Sequence, residues 1–160
     1  GYTMSTVLII YFSKTGNTEK MAHLVAEGVS AEGVEPVLRK VGTASVDELL
    51  NADGVIFGSP TYFGTMAAEI KAFLDESVKH FGKLNGKVGA GFSSSALLGG
   101  GNETTVLDIL KALLIHGMII QGTTEGGHYG PVALGAPDES SSEGCRKLGE
   151  RVAHLVKKLS

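Results

Sequence analysis

The sequence YFSKTGNT follows the apolar run VLII and is rich in groups that can bind an anion. Five residues supply side-chain donors or close backbone approach: Ser13, Thr15, Gly16, Asn17 and Thr18. A helix that begins near Asn17 would direct unpaired N–H groups and the positive end of its dipole at the same place. These groups would bind a phosphate, whereas a well-capped strand-to-helix turn is the alternative for this segment alone.

The two common nucleotide motifs are absent from the sequence. It contains no G-x-x-x-x-G-K-[ST], and no G-x-G-x-x-G follows the first apolar run. Nucleoside triphosphates and classical dinucleotide binding are therefore disfavoured as the use of this segment.

The segment SPTYFGT has the composition of a second ligand-binding loop, predicted over 59–64. Pro60 stiffens the exit from a strand, Thr61 can hydrogen-bond, and Gly64 lets a backbone group approach a planar ring. Tyr62 and Phe63 offer aromatic surface for such a ring. The alternative is that both aromatics belong to the core.

Two further loops share this uncharged, glycine-rich and hydroxyl-rich character. In the loop predicted over 93–101, hydroxyls come from Ser93, Ser94 and Ser95, and close approach from Gly99 and Gly100. A flexible turn is the alternative for its glycines. The last loop, over 122–130, follows the fifth predicted strand.

Elements that would position these loops follow from the hydrophobic pattern. Continuous apolar or β-branched runs predict five strands, over 6–12, 34–41, 54–58, 87–92 and 117–121. Segments with apolar residues at helical spacing lie between and after them. This alternation predicts one α/β domain over 4–160, with helices on both faces of a parallel sheet. Residues 1–3 precede Met4, which is the expected natural start.

Capping boxes are predicted at two helix starts, Ser45 with Glu48 and Ser140 with Glu143. In an open parallel sheet, ligands bind beyond the carboxyl ends of the strands. All four loops should therefore meet at that edge.

Charge and cysteine content exclude several classes of partner. The net charge of −3 and the scattered lysines give no basic stripe for nucleic acid and no polybasic segment for a membrane surface. No apolar run approaches the ~20 residues of a membrane span. Cys145 is the only cysteine, so a disulfide within the chain is impossible and a reducing, cytoplasmic setting is expected.

The motifs together resemble the flavodoxin-like FMN proteins along nearly the whole chain. They are YFSKTGNTEKMAHLVAEGV, GSPTYFGTMAAEIKAFLDE, FSSSALLGGGNETT, HGMII and GGHYG, and they are most similar to the NAD(P)H:quinone oxidoreductases related to the tryptophan-repressor-binding protein. This resemblance implies a three-layer fold with strand order 2-1-3-4-5 and one FMN. The FMN phosphate would lie in the loop 13–18, and the isoalloxazine between the later loops.

Histidines at two of these motifs take roles that the resemblance implies. His116 in HGM would lie beside the open face of the flavin and act on a quinone, whereas its alternative is a favourable position at a helix C-terminus. His128 and Tyr129 in GGHYG are candidates to approach the cofactor. No histidine pair has metal-ligand spacing with a carboxylate or thiol, so no metal site is predicted.

Two-electron transfer from NAD(P)H through FMN to a quinone is the favoured activity. The loop 93–101 has no aromatic residue, so one flavin face should stay open to a planar substrate. The net charge of −3 is also mild, whereas electron-carrier flavodoxins tend to have a strongly acidic surface. The alternative is a flavodoxin-type electron carrier that serves a redox partner protein, and a homo-oligomer is possible. A phospho-acceptor domain lacks its acidic cluster here, and a hydrolase lacks its G-x-S-x-G elbow.

Overall fold

A computed structural model describes residues 4–160, so the expectation for residues 1–3 lies outside the described residues. The elements are β1 (Thr6–Tyr11), α1 (Asn17–Ala31), β2 (Glu35–Lys40), β3 (Gly54–Tyr62), β4 (Thr65–Met66), α2 (Ala68–Glu76), β5 (Val88–Ser95), α3 (Asn102–Ile115), β6 (Val132–Leu134) and α4 (Glu139–Leu159). Short 3₁₀ helices include Val46–Leu50 and Ser77–His80. Within residues 4–160, none of the helices has the length and apolar content to cross a membrane.

The sheet confirms the predicted fold class. Its strands lie in the order β2-β1-β3-β5-β6, and the short β4 pairs antiparallel with the end of β3. Leaving β4 aside, this is the predicted order 2-1-3-4-5. One core lies between the sheet and the helices α1 and α4, and the other lies under α2 and α3. The two edges of the sheet are β2 and the three-residue β6.

The edge beyond β5 differs from the prediction of a strand over 117–121. In that segment Ile119 makes a single parallel bridge with Val88, and regular pairing resumes only where Val132–Leu134 meets the end of β5. The intervening chain leaves the sheet. The loop 122–130 therefore interrupts the edge strand instead of following it, and the predicted strand is wrong in its position.

One predicted capping box is confirmed and the other is wrong. Ser45 and Glu48 form both bonds of the box, at the start of a 3₁₀ helix. At α4 the box joins Asp138 to Ser141, because Asp138 has the extended backbone of an N-cap and Ser140 already lies inside the helix.

Helices α1 and α4 approach closely through two glycines. A Cβ on Gly28 would lie 1.9 Å from the carbonyl oxygen of Arg146, and a Cβ on Gly149 would lie 2.1 Å from that of Val25. Both contacts are with backbone, which cannot rotate away. The fold therefore requires hydrogen as the side chain at this crossing.

Replacing Gly149 with alanine should destabilise the fold by about 2 to 3 kcal/mol, the usual cost of overpacking a tight contact. Chemical denaturation followed by circular dichroism measures this loss. Gly144→Ala is the matched control on the same helix, because the nearest atom to its added Cβ is Pro131 Cβ at 3.4 Å. That control should be neutral or stabilising by up to ~1 kcal/mol. Equal stability of the two variants would contradict the close crossing.

Candidate functional site

Three loops converge at the carboxyl edge of the sheet, after β1, β3 and β5. The loop before α1 is tied to β5 by the hydroxyls of Thr18 and Ser94, which are 2.9 Å apart. The turn after β3 touches the start of α3 so closely that a Cβ on Gly101 would lie 2.7 Å from Gly64 Cα. Three of the four predicted loops therefore meet at one place.

The first loop has the geometry of an anion site. Gly16 takes φ 100° as the N-cap of α1, and the first helical hydrogen bond runs from Lys20 N–H to Gly16 O at 3.1 Å. The amides of Asn17 and Thr18 precede that bond, so they have no partner within the helix. A phosphate oxygen accepts from such groups and from the exposed Thr15, and therefore the site fits an FMN phosphate.

Ser13 takes a positioning role in this loop. Its Oγ accepts hydrogen bonds from the amides of Gly16 and Glu19, each at 3.2 Å. The hydroxyl thus holds the turn in shape from a position two residues beyond the end of β1. A direct contact of Ser13 with the phosphate stays a prediction.

A chain of buried and half-buried hydroxyls joins the second and third loops. Thr61 Oγ1 is 3.0 Å from Ser93 Oγ and accepts from Thr105 Oγ1 at the same distance. Thr105 is fully buried, and its Oγ1 also lies 2.8 Å from the carbonyl oxygen of Gly101. Thr105 was not among the residues predicted from the sequence, although a threonine on the apolar face of a helix indicates a buried hydrogen bond.

The serines of the third loop belong to the end of β5 and not to the loop itself. Ser93, Ser94 and Ser95 are buried, and the loop begins after them. Ser95 Oγ lies 3.1 Å from the carbonyl oxygen of Leu97 and accepts from Asn102 Nδ2 at 3.0 Å. These hydroxyls position the surrounding chain, and their predicted donation to the flavin stays a prediction.

The second loop is shorter than predicted because β3 continues as far as Tyr62. Pro60 lies within the strand, opposite Ser94 of β5. The turn that follows has positive φ at both central residues, 50° at Phe63 and 81° at Gly64, as a type I′ hairpin requires. For phenylalanine this conformation costs about 1 kcal/mol or more.

Aromatic and aliphatic side chains around these loops face outward. Phe63 is fully exposed, and Tyr62 is partly exposed with its ring edge-on to Phe12 at 6.4 Å. Neither belongs to the core, so that alternative is excluded. Leu97 and Leu98 are also exposed, next to Gly99 and Gly100. The carboxyl edge is therefore bordered by apolar surface.

The loop 122–130 projects from the side of the sheet. His128 Nδ1 is 2.9 Å from the carbonyl oxygen of Thr123 in the same loop, and Tyr129 is exposed. Gly130 packs against β5, where a Cβ would lie 2.1 Å from Gly91 O. A contact of His128 or Tyr129 with the cofactor stays a prediction.

His116 lies at the opposite edge of the sheet. Helix α3 begins at Asn102 near the carboxyl edge and returns antiparallel to β5 over about 20 Å. At its end the chain meets the start of β5, where Gly86 N–H donates to Gly117 O at 2.9 Å. Within one chain His116 therefore lies away from the flavin loops, and its predicted role beside the ring stays a prediction. The alternative, a histidine at a helix C-terminus, is confirmed in position, because His116 is the C-cap of α3. The side chain is buried there.

Burial of His116 should make the fold sensitive to mild acid. Ser77 Oγ donates to the carbonyl oxygen of Leu74 and accepts from His116 Nε2 at 2.8 Å, while Nδ1 has no hydrogen-bond partner among residues 4–160. Burial lowers the pKa of His116 below its ordinary value of 6.5. Well above pH 6.5 both the folded and unfolded forms hold this imidazole neutral. As the pH falls from there through the folded pKa, the unfolded chain binds the proton first and stability is lost.

Urea denaturation at pH 7.5 and at about pH 5.5 tests this dependence. The wild type should be less stable at the lower pH, and His116→Gln should lose part of that difference while it retains FMN. An unchanged pH dependence in the variant would exclude His116 as its source.

Of the remaining histidines, His23, His80 and His154 lie on helical patterns of the sequence that predict solvated side chains, and for His80 this prediction is wrong. It is buried, and its Nε2 is 2.8 Å from Asp47 Oδ1. His23 and His154 are exposed, as expected. Residues 4–160 contain no group of three or more His, Cys, Asp or Glu side chains that could hold a metal ion.

Comparisons with known proteins agree with this geometry. The family model for the flavodoxin domain matches residues 8–107. A protein named flavodoxin from Aquifex aeolicus is 43% identical, covering 96% of this chain and 88% of that protein. A protein named NAD(P)H dehydrogenase (quinone) from Archaeoglobus fulgidus is 35% identical, covering 98% of this chain and all of the other.

One solved structure is similar to the chain in both fold and sequence. It is the flavodoxin, WrbA-like protein from Agrobacterium tumefaciens, with a TM-score of 0.84 and 31% identity, covering 98% of this chain and 99% of that one. The sheet order, the anion site before α1 and these similarities all lead to one assignment. The chain belongs to the flavodoxin family, and its cofactor is FMN.

Proposed function

We propose that this protein is an FMN-dependent oxidoreductase that passes two electrons from NAD(P)H to a quinone. The observation that carries the proposal is the apolar, open border of the carboxyl edge. Phe63 is exposed on one side, and Leu97 and Leu98 are exposed on the other, in a loop without an aromatic ring. A planar acceptor needs such an uncovered apolar surface to lie against the flavin ring.

The residues of the chain divide this task between them. The amides of Asn17 and Thr18 and the hydroxyl of Thr15 would hold the FMN phosphate at the N-terminal end of α1. The hydrogen bond between the half-buried Thr61 and the buried Ser93 would hold the two ring-side loops at a fixed separation. Bound FMN supplies the redox chemistry, and the protein supplies position and shelter from water.

The names of relatives support the proposal without deciding it. The NAD(P)H dehydrogenase (quinone) of Archaeoglobus fulgidus covers 98% of the chain, but the more similar protein of Aquifex aeolicus is named flavodoxin. A carrier that exchanges electrons with a redox partner protein is thus the second candidate. The placement of His116 supports this second candidate, because within one chain the imidazole packs against Ser77, away from the carboxyl edge.

Stopped-flow and steady-state assays of the FMN-loaded protein separate the two candidates. A reductase should oxidise NADH or NADPH rapidly, with turnover that depends on added benzoquinone. Flavin that neither nucleotide reduces, yet that dithionite reduces in two resolved one-electron steps, would overturn the enzyme proposal in favour of the carrier.

A further inference from the structure

The turn after β5 presents two leucines to solvent at the carboxyl edge. Leu97 is 71% exposed and Leu98 is 88% exposed, although leucine is among the residues most often buried. Exposed leucines that are scattered singly need no explanation, but two in succession beside a cofactor loop form an apolar patch. These two residues are called the leucine pair below.

Hydrogen bonds hold the backbone that carries the leucine pair. The carbonyl oxygen of Leu97 accepts from Gly100 N–H at 3.0 Å and from Ser95 Oγ at 3.1 Å. Ser95 Oγ accepts in turn from Asn102 Nδ2 at 3.0 Å. The turn is thus tied to the last residue of β5 and to the first residue of α3. A ligand therefore meets the two leucines without the cost of ordering a free loop.

The chain around the leucine pair carries no charge. Neither the segment 93–102 nor the turn of segment 59–66 contains a charged residue. The two segments are neighbours in space, since Thr104 Oγ1 donates to Gly64 O at 2.7 Å and Gly101 packs on Gly64. An ionic ligand would find no ion-pair partner in these two segments, whereas an uncharged apolar ligand needs none.

Further apolar side chains extend this surface on both sides. Phe63 is fully exposed on the turn beside Gly64. Leu134 pairs with Ser95 in the sheet and is half exposed on the edge strand. Apolar contacts are therefore available at the opening to the flavin loops and along the sheet edge next to it.

The extent of this surface fits a small molecule better than a protein. A stable protein interface buries roughly 800 Å² on each partner and uses about 20 to 30 residues a side. The leucine pair, Phe63 and Leu134 are far fewer than that. Charged groups usually steer and orient a partner protein, and the segments 59–66 and 93–102 have none. An uncharged hydrocarbon chain is the ligand that this patch matches.

We propose that the leucine pair binds the hydrocarbon side chain of a lipophilic quinone, and that the protein therefore prefers alkyl-substituted quinones to unsubstituted ones. The inference rests on the proposed function, because it assumes a quinone at the flavin. In the balanced reaction, NAD(P)H and one proton from solvent reduce the quinone to the quinol and leave NAD(P)⁺. The side chain of the quinone takes no part in that chemistry and contributes binding alone.

Two quinones with the same ring test the proposal, namely a dimethoxy-methyl-benzoquinone without a side chain and its decyl derivative. The decyl compound should have a kcat/KM at least about tenfold higher, the effect of burying roughly two methylene groups. The double variant Leu97→Gln/Leu98→Gln should lose most of this ratio, and Leu98→Gln alone should lose part of it. The ratio is the readout, because a change at the flavin that affects both quinones equally cancels.

Calorimetric titration of the oxidised, FMN-loaded protein with the decyl quinone measures binding without turnover. The double variant should bind it about tenfold more weakly than the wild type. Leu114→Gln is the matched control, because Leu114 is 58% exposed near the far end of α3, away from the flavin loops. It should keep both the affinity and the ratio of the wild type.

Three outcomes would overturn the proposal. The first is an equal kcat/KM for the two quinones in the wild type, or a ratio that survives the double substitution. The second is a loss of FMN affinity of tenfold or more in the double variant by fluorescence titration, since the leucines would then cover the flavin itself. The third is a wild-type oligomer in analytical ultracentrifugation that the double substitution dissociates, since a second copy would then occupy the patch.

Failure of this site and failure of the proposed function give different results. If the wild type reduces both quinones with NAD(P)H at the same kcat/KM, the function stands and the site is wrong. If neither quinone supports turnover, yet binding of the decyl quinone depends on the leucine pair, the site stands and the reductase is wrong.

Discussion

Thr15→Glu should abolish FMN retention. Thr15 is exposed beside the N-terminal end of α1, where the amides of Asn17 and Thr18 precede the first helical hydrogen bond. A carboxylate there places a negative charge against the phosphate, and two like charges ~4 Å apart repel by about 4 kcal/mol at a partly screened site. Affinity should fall by a factor of about 100 or more. Fluorescence titration of the apoprotein with FMN measures the loss.

Thr15→Gln is the matched control, since glutamine has the same size as glutamate and no charge. It should bind FMN within about tenfold of the wild type, the effect of one lost hydrogen bond. If glutamine weakens binding as much as glutamate does, the effect is steric. FMN retention by Thr15→Glu would place the phosphate elsewhere.

Gly101→Ala should both destabilise the fold and weaken FMN binding. Gly101 has φ 104° at the start of α3, and its added Cβ would lie 2.7 Å from Gly64 Cα. The left-handed backbone costs an alanine about 1 to 2 kcal/mol, and the backbone contact adds a similar amount. The two ring-side loops must then separate. We expect a loss of about 3 kcal/mol in the free energy of unfolding by urea denaturation.

Gly99→Ala isolates the backbone contribution. Gly99 also has positive φ, 71°, but nothing lies within 4 Å of its added Cβ. It should lose only about 1 kcal/mol and retain most of its FMN affinity. Similar behaviour of the two variants would show that the contact between Gly101 and Gly64 contributes nothing.

Sequence periodicity predicted the strands that are buried on both faces, because a continuous apolar run has few other structures available. It ended β3 too early, at Gly58, since GSPTY has the composition of a turn while its pairing with β5 continues. It also misplaced the edge strand. Three residues, Val132–Leu134, are too few to show a period, and only the neighbouring strand holds them in the sheet.

The position of His116 within the chain could have been predicted from topology. A helix that starts at the carboxyl edge and runs back along a parallel sheet must end at the amino edge, about one strand length away. The motif HGM, by contrast, predicted that His116 lies beside the flavin. Topology was the better guide, and it places the imidazole against Ser77.

Buried polar partners were beyond the reach of sequence reasoning. Thr105 hydrogen-bonds to Thr61, which lies more than forty residues away in the sequence. Arg151 is affected by the charge of Glu125, which lies about 26 residues away. From sequence alone, a threonine or an arginine on a helix is predicted to be exposed. Only the packed structure shows that Thr105 closes a hydroxyl network and that Arg151 Nε has no hydrogen-bond partner among residues 4–160.

The two outer strands limit how copies of this protein can associate. Glu35–Lys40 carries Pro36, which has no amide hydrogen to offer a new strand, and Lys40 at its end. On the other side Val132–Leu134 offers too short a ladder to extend. Such borders discourage fibrillar growth and strand exchange. Any homo-oligomer should therefore form through helix surfaces, and the chain should tolerate high concentration without amyloid-like aggregation.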